Sequence, residues 1–128
     1  FRVAARHTAI AAEIAITFKE KRNLYVKEAE TLIKAEDYEF AHKALLNAIS
    51  NTNTPQEKAE VLAAVKSSYK KQAEEYEKAE KRNKALKIYE KLYQETKDMN
   101  EKIMLREKLL SLYEKLGKIR EFMNLKNR

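Results

Sequence analysis

Apolar residues recur at three- and four-residue steps along nearly the whole 128-residue chain, the spacing of one face of an α-helix. Tyr69, Ala73 and Tyr76 form one such trio, and Ala85, Tyr89 and Leu92 another. Each trio lies on a single helical face and mixes a small residue with large ones, which suits two helices packed closely side by side. Earlier in the chain Val3, Ile10, Ile14 and Phe18 carry a stripe, with His7 and Ala11 filling it, and predict a helix from residue 1 to about 20. The polar run at 19–23 is where a turn is expected; with no Gly or Pro in it, one long helix through to Lys34 is the competing reading. Residues 24–35 read as a helix facing inward through Tyr25, Ala29 and Leu32. After a short turn at 35–38, residues 38–50 read as another, facing inward through Ala41, Leu45 and Ala48. Leu24, Ile33, Leu46 and Ile49 widen these stripes.

The clearest loop is the Ser-Asn-Thr-Asn-Thr run at 50–54. Thr54 can cap the helix that follows, Pro55 suits its first position, and Glu57 completes a capping box. That helix should run from Pro55 to about Lys78, with Val61, Leu62 and Val65 on its early apolar face. A charged turn at 79–83 leads to a helix over 84–96, bearing Ala85, Leu86, Ile88, Tyr89, Leu92 and Tyr93. Asp98 and Glu101 offer a second capping box, and a helix over 99–116 carries Ile103, Leu105, Leu109, Leu110, Leu112, Tyr113 and Leu116. Gly117 stops it as a residue past a helix C-terminus does, and Ile119, Phe122, Met123 and Leu125 begin another over 118–127. Short turns between amphipathic helices make antiparallel neighbours.

Composition agrees. One Gly and one Pro are too few for a β-rich domain, and Ala, Lys, Glu and Leu are strong helix formers. The expected class is all-α, with about six to seven helices. Without Cys, disulfides and zinc–thiolate sites are excluded, while the compartment stays open. The net charge is +7. Eight cations face seven acids in residues 1–50, eleven face nine in 51–100, and eight face four in 101–128. The two signs are interspersed, as on solvated helix faces, whereas a nucleic-acid surface shows a concentrated basic patch with interleaved aromatics. A basic helical module on nucleic acid or an anionic membrane surface is therefore the alternative rather than the leading function. The apolar run at 9–18, broken by Glu13 and Thr17, is too short to span a bilayer and lacks a signal-cleavage pattern. A start at Phe1 and an end in mid-pattern read as a fragment, with a signal, anchor or further domain left to the segments outside it.

Helix pairs invite a test for repeats. Tyr69-x2-Gln72-Ala73-x2-Tyr76 followed by Ala85-x3-Tyr89-x2-Leu92 resembles the tetratricopeptide repeat, with Gln72 where that family has Leu and Leu92 in place of a second small residue. Tyr25-x3-Ala29-x2-Leu32 followed by Asp37-Tyr38-x2-Ala41-x3-Leu45-x2-Ala48 resembles it as well. Leu109-Leu110-x2-Tyr113-x2-Leu116-Gly117 looks like a first helix and turn, but Phe122 stands where a small residue is expected. The step from Leu32 to Tyr76 is 44 residues and from Tyr76 to Tyr113 is 37, against about 34 in a standard array. The resemblance implies an N-terminal capping helix at 1–21 and pairs at 22–54, 55–98 and 99–128, the last incomplete or divergent. These would be stacked as a short right-handed superhelix. It also implies a concave surface lined by the first helix of each pair, which in such stacks binds a peptide or protein.

The register places Lys27, Glu30 and Lys34 on that surface from the first pair. The second supplies Lys70, Lys71, Glu74, Glu77 and Lys78, and the third Glu107, Lys108, Ser111, Glu114 and Lys115. Glu–Lys pairs at helical spacing on a solvated face are the plainer account of the same residues. The family's carboxylate clamp needs an Asn after the small residue of the first helix; Glu30, Glu74 and Ser111 stand there, so the clamp is rejected. Phe122 and Met123 belong to an apolar group that must fold back or be covered by a partner. Glu39 and His42 make a lone Glu-x-x-His, where a di-iron bundle needs two, and His7 has no Glu three residues before it. No phosphate loop or nucleophile–base constellation has spacing support. The expectation is a non-enzymatic scaffold or adaptor without cofactor or metal, binding another protein, helix or peptide, and compatible with a homodimer.

Overall fold

The computed structural model describes residues 18–128, which form six α-helices and no strand. Residues 1–17 of the helix expected over 1 to about 20, His7 among them, lie outside the described residues. The helices are α1 (Phe18–Lys34), α2 (Tyr38–Ser50), α3 (Pro55–Lys78), α4 (Arg82–Glu95), α5 (Met99–Lys115) and α6 (Ile119–Lys126). None is long and apolar enough to cross a membrane. The turn expected at 19–23 is absent: α1 passes through it, because a polar run of good helix formers without Gly or Pro has no reason to break.

One turn occurs three times, at 32–37, 76–81 and 113–118. In each, an N–H donates back five residues: Asp37 to Leu32 at 2.9 Å, Lys81 to Tyr76 at 2.8 Å, and Lys118 to Tyr113 at 2.8 Å. A second N–H donates back three: Glu36 to Ile33 and Glu80 to Glu77 at 3.0 Å, and Gly117 to Glu114 at 3.1 Å. This double bond closes a helix around a left-handed residue, here Glu36 (φ 60°), Glu80 (φ 59°) and Gly117 (φ 71°). The three carbonyls at the start of these turns belong to Leu32, Tyr76 and Tyr113, the residues that set the repeat register in the sequence. The helix pairs are therefore one local design used three times at uneven steps.

The other boundaries follow their caps. Thr54 Oγ1 accepts from the Glu57 N–H at 3.1 Å, and the Glu57 carboxylate accepts from the Asn53 N–H at 2.7 Å, one residue earlier than a standard capping box. That bond, with Arg22 nearby, holds the Glu57 carboxyl below the usual carboxylate range against the opposing effect of burial. Asp98 accepts from the Asn100 N–H at 3.0 Å to start α5.

The described residues fall into two compact units divided inside α3, after Tyr69. In the first, α1 and α2 pack against each other over Ala29, Leu32, Ile33, Ala41, Ala44 and Ala48, all buried. Ala44 takes the buried place expected for Leu45, which is half-buried, as is Tyr25. Arg22 ties α1 to the start of α3, donating to the Asn51 carbonyl at 3.2 Å and pairing with Glu57 at 3.4 Å. The Tyr38 and Tyr69 rings lie 5.9 Å apart.

The second unit holds the end of α3 with α4, α5 and α6. Its core includes Ala73, Tyr76, Ala85, Tyr89, Leu109 and Tyr113. Ile103, expected on the inner face of α5, is exposed, as are Ile119 and Met123 of α6. Leu105, Leu109, Leu112 and Tyr113 instead carry the buried stripe of α5.

Candidate partner-binding surface

The residues that the register assigns to the first helices behave differently in the two units. On α1, Lys27 and Lys34 are exposed and Glu30 is half-buried. In the second unit three of the assigned positions, Lys70, Glu77 and Lys108, hold helices together. Lys70 of α3 meets Glu101 of α5 at 3.4 Å, and Glu77 of α3 meets Lys108 of α5 at 3.3 Å. Glu77 also accepts a short hydrogen bond from the Tyr89 hydroxyl of α4. Thus the first helices of the second and third pairs are linked directly, through pairs 31 residues apart in the chain. The Glu–Lys pairing expected within helices is represented here by Lys91 and Glu95 of α4, at 2.6 Å.

With those charges engaged, Lys71, Glu74 and Lys78 on α3 and Glu107, Ser111, Glu114 and Lys115 on α5 are the exposed assigned positions of this unit that take no part in the two pairs. Charge follows the helices. In 98–117 four cations balance four acids, and Lys70–Lys78 balances three with three. The surplus sits on the second helices: six cations against three acids in 80–97, and four against one in 118–128.

Phe122 and Met123 are separated by the fold. Phe122 is half-buried beneath the Lys126 ammonium, 5.5 Å from its ring centre, while Met123 faces outward. Glu39 and His42 are both exposed. Among the described residues no group of three His, Asp or Glu side chains converges as metal ligands would.

A cleft of about 410 Å³ opens between α4, α5 and α6. Glu90 and Tyr93 of α4, Lys102 and Tyr113 of α5, and Glu121 and Asn124 of α6 line it. The Tyr113 hydroxyl donates to Glu90 at 2.8 Å, and Lys102 lies 5.1 Å from the Tyr93 ring centre. Burial, then the hydrogen bond to a carboxylate, pushes the Tyr113 hydroxyl above its ordinary range; Tyr89, bonded to Glu77, is raised for the same reasons. Sequence spacing did not reveal this cleft. No protein-family model, curated protein or solved structure matches the chain.

Proposed function

We propose that this chain is a helical-repeat interaction module of the tetratricopeptide type, a scaffold that holds a partner protein, helix or peptide on its first helices without turning it over. The observation that carries the reading is the link between α3 and α5, each followed by the same closing turn. First helices set side by side in successive pairs make an extended platform from few residues. Lys71, Glu74 and Ser111 are the contact residues of that platform in the second unit; in the first unit, taken by itself, Lys27, Glu30 and Lys34 are the contact residues of α1. Its balanced charge in the second unit suits a partner of mixed charge better than a polyanion.

The second reading, a basic module on nucleic acid or an anionic membrane, draws on the surplus of cations along the second helices. Affinity capture from lysate separates the two. The bait is the wild-type chain or a Lys71→Glu/Ser111→Arg variant, with washes at low and high salt. One protein retained at high salt by the wild type and lost by the variant is the expected result. Recovery of nucleic acid alone, or of many species released by salt, overturns the scaffold reading.

A further inference from the structure

The seam between α3 and α5 shows how this fold adds a helix to a pair. Glu101 and Lys108 of α5, seven residues apart, meet Lys70 and Glu77 of α3, also seven apart. Lys70 and Glu77 stand ten and three residues before Glu80, the left-handed residue of their closing turn. The same positions before Gly117 are Glu107 and Glu114, both exposed on α5.

A second position to compare lies six residues after the left-handed residue, on the second helix of each pair. On α4 this is Leu86, buried to 4 %. On α2 it is His42, polar and exposed. Apolar where covered and polar where exposed is the ordinary rule, and α6 breaks it: Met123 is 47 % exposed, and Ile119, one turn before it, is 73 % exposed. Methionine adapts its shape to an incoming surface.

We propose that the α5–α6 face is a docking site for one amphipathic helix of a partner protein. That helix carries two cations seven residues apart, against Glu107 and Glu114, and an aliphatic stripe over Ile119 and Met123. Although residues 118–128 carry four cations against one acid, the two carboxylates oppose a phosphate backbone or an anionic bilayer on α5, where either would meet like charge. They also argue against a second copy docked in the same register. The two positions are occupied by Glu20 and Lys27 on α1, Ala64 and Lys71 on α3, and Glu101 and Lys108 on α5, and none of these has a cation at both. The inference rests on the reading of the chain as a protein-binding module and extends its surface on α5, where Glu107 and Glu114 flank Ser111 at helical spacing; the Glu107→Lys/Glu114→Lys variant tests the docking face, and Lys71→Glu on α3 tests the platform apart from it.

Two synthetic amphipathic helical peptides serve as probes. They share a leucine stripe and differ in carrying Lys or Glu at two positions seven apart. Fluorescence anisotropy measures affinity for the full chain, and the Met123 methyl resonance reports the contact. The Lys peptide is expected to bind about tenfold more tightly than its Glu twin and to shift that methyl. A Glu107→Lys/Glu114→Lys variant, its folding checked by circular dichroism, is expected to reverse the preference. Equal affinities, a preference unchanged by the variant, or no binding of either peptide overturns the proposal. So does a Met123 methyl that shifts on concentrating the protein alone, or that responds more to an oligonucleotide or anionic vesicles than to the Lys peptide.

Discussion

The first and last helix pairs close with the same turn but pack differently. Between α1 and α2, Ala29 and Ala41 are fully buried, and the neighbouring Ala44 and Ala48 are buried as well. Small side chains let two backbones approach closely. Between α5 and α6 the corresponding residues are Leu110 and Phe122, both half-buried; the 410 Å³ cleft, lined by their chain neighbours Leu109 and Glu121, opens where these helices meet α4. The turn sets direction and register, while the side chains at two facing positions set how tightly the pair shuts. The pair built on alanines is a structural element. The pair built on Leu110 and Phe122 leaves polar walls and exposed apolar residues, the features from which a binding surface is made.

The most forceful way to break this comparison is to give the first pair the residue of the last. Ala41→Phe forces a large ring into a site with no room, and is expected to cost about 3 kcal/mol. The reverse change, Phe122→Ala, removes a half-buried ring from a pair that is already open, and is expected to cost about 1 kcal/mol. Urea unfolding of both variants checks the order. If Phe122→Ala proves the more damaging, the last pair is the tighter one and the contrast fails.

The next effect concerns the polar side of the open pair. Tyr113→Phe leaves Glu90 without its donor at the edge of the cleft, an expected loss of about 1–2 kcal/mol. The pH dependence has a definite sign. A tyrosine whose folded value is raised contributes stability that is complete below its ordinary value of 10.0 and is lost as pH rises above it. Wild-type stability should therefore fall above about pH 10, and Tyr113→Phe should flatten part of that fall. Thermal melts across the alkaline range decide it; an unchanged slope would mean that Tyr113 keeps no proton advantage in the folded chain.

Much of this was legible from local chemistry. Thr54, Pro55 and Glu57 mark the start of α3, and Gly117 the end of α5, because caps and left-handed residues act over a few positions. Tyr76 and Tyr113 betray the turns they begin for the same reason. Ion pairs such as Glu77 with Lys108, on separate helices, left no trace in spacing, so charges that hold α3 to α5 read as a solvated face. The run at 19–23 misled because polarity alone does not end a helix. Ala44 displaced Leu45 because steps of three and four both fit a helical face, and closeness between α1 and α2 favoured the smaller residue. Ile103 read as core from its hydrophobicity, and Met123 as part of a group to be folded back or covered by a partner; both are exposed, and the inference about docking starts from Met123.

The smallest effect tests whether the three turns are one design. Gly117 occupies its left-handed position without a side chain to strain, and a Cβ there meets nothing within 4 Å, so conformation alone governs the cost of Gly117→Ala. That cost is expected to be about 1 kcal/mol. Glu36 and Glu80 hold the same conformation with a side chain present and bear that strain already. Glu36→Gly should relieve it, set against the greater freedom glycine gives the unfolded chain, for a net gain of about 0.5 kcal/mol. The first pair is the place to measure it, because its helices are otherwise well closed and a gain cannot come from filling a gap. Opposite signs for Glu36→Gly and Gly117→Ala would place both turns on one conformational footing. A destabilised Glu36→Gly would instead show that the Glu36 side chain contributes more through its contacts than its backbone loses in strain, and the turns would then be alike in shape alone.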